Sequence, residues 1–205
     1  MASILDLLNT SMGEDFIAKA SDSTSENKDN ISAALGMALP ILLGAMQKNI
    51  KTDSGAESLN NALSSNKHGD ALLSNLKSVN ATDMSSEGEK ILGHLLGGKQ
   101  DMVTKTIGST LNMKESSVSS IIKMAAPLLM SILASQKSKE NVSSSGLGGL
   151  LESVMGSSGA HDASLIETLL DKDGDGSVID DVAGMIFGGN KKGGGGLLGG
   201  MLGGK

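Results

Sequence analysis

The stretch best suited to chemistry runs Asp171-Lys172-Asp173-Gly174-Asp175-Gly176-Ser177-Val178-Ile179-Asp180-Asp181-Val182. Calcium is a hard cation that takes about six to eight oxygen ligands, and acidic residues at loop positions 1, 3 and 5 converge three carboxylates on one point. Asp171, Asp173 and Asp175 occupy those positions, Gly176 sits where the sharp turn falls, and Ser177 offers its carbonyl at position 7. Val178 fills the usual apolar position. Position 12 departs from the pattern. It is Val182 where an EF-hand loop carries a bidentate glutamate, so closure falls to Asp180 or Asp181. Without that ligand, affinity is expected near about 10⁻⁴–10⁻³ M. The plainer reading is a solvated acidic turn that caps the following helix. Five carboxylates within eleven residues repel one another unless an ion sits among them, which favours Ca2+.

Other chemistries find less support. Gly93-His94-Leu95-Leu96-Gly97-Gly98-Lys99-Gln100 nearly spells a phosphate-binding loop, but it lacks the Ser/Thr for magnesium and no strand precedes it. It reads as a helix that ends in Gly-Gly. His68, His94 and His161 are scattered, with no ligand partner at helical spacing. No G-x-S-x-G elbow anchors a hydrolase triad. Cysteine is absent, which removes thiolate nucleophiles and thiolate metal sites. All 17 basic residues are lysine, the net charge is -6, and the aromatics are Phe16 and Phe187 alone. Nucleic acid is therefore not expected as a partner, since neither a basic surface nor stacking rings are available. The expectation is a protein that is not an enzyme.

The elements that must hold the acidic loop read as helices. Apolar residues recur at helical spacing and no alternating strand pattern occurs. Ile31–Met46 (ISAALGMALPILLGAM) lines up with Val118–Leu133 (VSSIIKMAAPLLMSIL), and the chain's two prolines, Pro40 and Pro127, coincide. Asp15–Lys19 resembles Asp101–Lys105 one residue out of that register, and His68–Leu72 has a counterpart in His161–Leu165. Glu89–Gly98 matches Asp180–Gly189: an acidic start, an apolar helix with an internal glycine, and a Gly-Gly stop. The expected fold is an all-α helical bundle made of two tandem repeats of one multi-helix unit, with an EF-hand-like loop before the last main helix. Residues 1–88 form the first repeat and 89–170 the second; 171–189 hold the metal loop and its helix, and 190–205 are a Gly-rich tail. Pro40 and Pro127 either start a second helix or kink a continuous one. Ser21–Asn30 and Ser135–Ser145, rich in Ser, Asn, Lys and Glu, read as loops or exposed caps. The 12 methionines read mostly as adaptable core filler.

Residues 188–205 contain ten glycines in eighteen, the composition of a flexible linker. Yet Leu197–Lys205 overlays Ile91–Lys99, which suggests a short helical plug. The longest apolar stretches, Ala33–Met46 and Ile121–Ala134, hold fourteen residues each. They read as buried core because a membrane span needs about twenty. The N-terminus has neither a basic region nor a long apolar run, so a cytoplasmic protein is expected.

The A-x-P-L-L helices, the ILGHLLGGK element and the DKDGDGSVIDDVAGMIFGG segment resemble the bacterial domain-of-unknown-function family that includes the YidB-like proteins. That resemblance implies a small, all-helical bacterial protein with no established activity. The functional expectation is a helical interaction or scaffold protein carrying structural calcium, with an unknown protein partner or self-association. The alternative is self-assembly, or contact with a membrane surface, through the Gly/Leu/Met tail.

Overall fold

The computed structural model describes residues 4–65 and 70–156. Every regular element among them is helical: α1 (Ile4–Leu7), α2 (Ser11–Thr24), α3 (Lys28–Asn49), α4 (Asp53–Ser64), α5 (Asp70–Ser74), α6 (Ala81–Leu95), α7 (Gln100–Leu111), α8 (Glu115–Lys139) and α9 (Leu147–Met155). Two 3-10 turns, Gly97–Lys99 and Ser144–Gly146, lead into α7 and α9.

Local chemistry sets where the helices begin. Thr10, Asn27, Thr52 and Asn80 each stand in extended backbone and accept a hydrogen bond from an N–H of the first turn that follows. Such caps satisfy donors that a helix start leaves unpaired. Two of them share a further device, Thr-x-x-Gly. The Thr52 hydroxyl donates to the Asn49 carbonyl at 3.2 Å and accepts from Gly55 N–H at 3.1 Å. Thr10 does the same with Leu7 and Gly13, at 2.7 and 3.4 Å. A side-chain carbon at Gly55 would overlap the Asn49 carbonyl, and one at Gly13 the Leu7 carbonyl. Only glycine allows the incoming helix to lie so close to the one before it.

Helices α3 and α8 are the centre. Both pack against α2, α4, α6, α7 and α9 as well as against each other, α3 against α1 in addition and α8 against α5. In α3 every residue from Leu39 to Met46 is buried, and in α8 every residue from Met124 to Ser135. A helix apolar all round has to be enclosed by others. Pro40 and Pro127 lie inside these continuous helices rather than at their ends. An interior proline costs an isolated helix about 3 kcal/mol. Burial of Leu42 and Leu43 alone offsets that, at about 1.5–3 kcal/mol each.

Several expectations need correction. Ser21–Thr24 belongs to α2 and Lys28–Asn30 to α3, and α8 runs on to Lys139. Polar composition there marks helix ends together with the short connections 25–27 and 140–143. True connections are short: Ser25 (φ 58°) ends α2 and Asn112 (φ 53°) ends α7, both in left-handed backbone. The apolar stretches of fourteen residues sit within helices of 22 and 25 residues, long and apolar enough by length and composition to cross a membrane. In the fold, 67% and 78% of their most apolar windows are buried among other helices. Met102, which the sequence places opposite Phe16, is exposed, whereas Phe16 is fully buried. Phe16, Ile17 and Ala20 line the inner face of α2; Val103, Thr104 and Ile107, 87 positions on, line that of α7. Buried positions of α2 and α7 thus recur 87 residues apart, the same spacing as Pro40 and Pro127.

One core position is left unsatisfied. Ser131 of α8 is fully buried and its hydroxyl has no hydrogen-bond partner among the described residues. An orphaned buried hydroxyl costs about 1–3 kcal/mol. Ser131→Ala is therefore expected to leave stability unchanged or to raise it by about 1 kcal/mol. A denaturant midpoint that falls would show that the hydroxyl has a partner.

Candidate functional site

The acidic loop named in the sequence, Asp171, Asp173, Asp175, Ser177, Asp180 and Asp181, lies outside the described residues, as do His68, His161 and the Gly-rich tail. Among the described residues no three His, Cys, Asp or Glu side chains converge in a way that could hold a metal ion.

What the described fold does offer is a cleft of about 600 Å³ between α4 and α6. Its floor is apolar: Met46 from α3, Met130 from α8, Leu59 from α4 and Ile91 from α6. One wall is the small-residue face of α4, Ser54, Ser58 and Ala62, at four-residue spacing. The other is the α6 stripe Glu87, Lys90 and His94, spaced by three and four, so that all three side chains share one face. Asn49 and Thr52 of the α3–α4 turn close one end. Volumes of about 300–1,000 Å³, with an apolar floor and a few polar groups, are typical of sites that take a ligand or a partner's side chains.

The electrostatics of the cleft are mild. Lys90 Nζ stands 3.3 Å from the Glu87 carboxylate, with the lysine largely in solvent and the glutamate half-buried. A pair of that kind is worth at most about 0.5 kcal/mol and leaves the wall close to neutral. His94 is exposed, and no hydrogen bond joins it to Ser54 or Ser58 among the described residues. The arrangement offers surfaces for contact by shape and hydrogen bonding. A second concavity, of about 20 Å³ between α1, α2, α3 and α8, is lined by Ile4, Phe16, Leu35 and Leu129 and is too small for more than a packing defect.

The phosphate-loop lookalike is a helix end, as its residues imply: residues 93–95 end α6, Gly97 takes φ +55°, and Gly97–Lys99 form a 3-10 turn. The cleft carries no motif in the sequence. The available signal was the α6 stripe and the recurrence of Thr-x-x-Gly, which sets the angle of α4. Methionine proves to be core filler at Met84 and Met124 and cleft floor at Met46 and Met130.

A family model for bacterial proteins of unknown function (DUF937) matches this chain over residues 6–136 and again over 139–205. No curated protein and no solved structure matches it.

Proposed function

The chain belongs to the DUF937 family of bacterial proteins, and on that premise we propose a non-enzymatic helical scaffold that contacts a protein partner and carries structural calcium near its C-terminus. The observation that carries the reading is the make-up of the α4–α6 cleft. Its methionine and aliphatic floor and its hydroxyl and amide rim suit a partner's side chains, a second copy included. No acid–base relay accompanies it among the described residues. In this proposal the protein is two tandem copies of one helical unit. What supports the duplication is the spacing of 87 shared by both prolines and by the buried faces of α2 and α7. An element of the Glu89–Gly98 type then follows residues 1–88 and recurs after residues 89–170, where it has gained the EF-hand-like loop ahead of it.

Calcium would sit among Asp171, Asp173 and Asp175 with the Ser177 carbonyl, closed by Asp180 or Asp181. Five nearby carboxylates supply the negative charge that such an ion neutralises. Titration of the full chain with calcium chloride in a calorimeter is expected to show binding near about 10⁻⁴–10⁻³ M. A variant with Asp171→Ala and Asp173→Ala is expected to show none. Absence of heat from both proteins removes calcium from the proposal. Sedimentation across a range of concentrations tests self-association: a rising mass identifies a second copy as the partner, and a constant monomer excludes one.

A further inference from the structure

Helices α6 and α8 meet at a place where two unusual residues face each other. A side-chain carbon at Gly88 of α6 would overlap the backbone carbonyl oxygen of Lys123 in α8, so the glycine's own α-carbon lies against that oxygen. Lys123 is four residues before Pro127. In an ordinary helix its carbonyl would accept from the N–H of residue 127, but proline has none. The next residue of α6 holds the other end of the same lysine: Glu89 Oε2 lies 2.5 Å from Lys123 Nζ.

We infer that Pro127 and Gly88 form a helix lock, in which the proline frees the Lys123 carbonyl and the glycine seats its Cα–H on it. A Cα–H···O contact is weak on its own, yet it recurs at close helix crossings. Here it replaces a hydrogen bond that the proline forbids. The lock fixes the angle of α6, and with it the wall of the cleft that carries Glu87, Lys90 and His94.

The molecule contains its own control. Pro40 frees the Gly36 carbonyl of α3 in the same way, but none of the described glycines pressed against a backbone carbonyl has Gly36 as its neighbour. No glycine of another helix is seated there as Gly88 is at Lys123. Only Pro127 should therefore affect α6 when replaced by alanine, read by hydrogen exchange of backbone amides in the full chain. Pro127→Ala lets the Lys123 carbonyl turn back into its own helix, and the α6 amides are expected to exchange at least tenfold faster relative to those of α2. Pro40→Ala is expected to leave that ratio unchanged. If both variants leave α6 equally protected, the lock does not exist.

Gly88→Ala, made with and without Pro127→Ala, should have a smaller effect on the unfolding midpoint in the second background. Equal effects would overturn the inference, and if Gly88→Ala does not fold, the proline comparison decides alone. Lys123→Ala keeps the carbonyl and loses only the ion pair, so a shift in α6 exchange below threefold is expected. A shift as large as that of Pro127→Ala would assign the hold to the ammonium group and sink the lock.

Discussion

Phe16→Ala is expected to lower the unfolding free energy by about 3–5 kcal/mol, the usual cost of emptying a buried aromatic position. Phe16 has no exposed surface, and it borders a void of about 20 Å³ that it shares with Leu35, Leu39 and Leu129. Removing the ring enlarges a defect already present. Collapse cannot close it cheaply, because the α3 and α8 walls are each held between most of the other helices. In a chain of this size the loss corresponds to a fall in Tm of about 6–20 °C. Met102, its apparent counterpart by sequence, is 40% exposed. Met102→Ala is therefore expected to stay within about 0.5 kcal/mol of the parent. A small effect at Phe16, or similar effects at both positions, would show that the ring does not fill the space between α2 and the central pair.

That contrast shows where sequence reasoning succeeds and where it stops. The central helices were legible because nearly continuous apolar runs admit one solution, enclosure by other helices, and the coincident prolines fixed their register. The lengths of those helices were not legible. Ser21–Thr24 and Gln136–Lys139 look like loops by composition, but the partly exposed end of a helix is free to be polar. Side-chain bonds to the helix's own carbonyls accommodate them, as Thr24 shows with Ala20 at 2.7 Å. The one-residue slip between α2 and α7 has a similar origin. Residue identity at Asp15 and Asp101, both on outer faces, suggested one alignment, whereas burial, which carries the energy, follows another.

The cleft was harder still. Its residues are not rare types and form no motif; they become a site only through the angle between α4 and α6. What fixes that angle is backbone proximity at single glycines, and one sequence does not announce which of 28 glycines are pressed against a carbonyl. Gly13, Gly55 and Gly88 are; Gly36, Gly93 and Gly98 meet nothing. The acidic loop is the reverse case, since its residue types and spacing state the chemistry before any fold is known.

Gly55 supplies the second large effect. It lines the cleft, and a side-chain carbon there would overlap the Asn49 backbone carbonyl, which no change of rotamer can move aside. Gly55→Ala has to pry the start of α4 away from the end of α3. Overpacking of this kind costs about 1–3 kcal/mol, somewhat more where backbone must shift. A gain of about 0.5–1 kcal/mol in helix propensity works against that cost and is too small to cancel it. Thr52→Ala separates the two contributions, because it removes the cap on the same turn without adding bulk and should cost about 1 kcal/mol. If Gly55→Ala proves no worse than Thr52→Ala in denaturant unfolding, the close approach at Asn49 is not what sets the turn. If it proves worse, the penalty measures how firmly the α4 wall of the cleft is held in place.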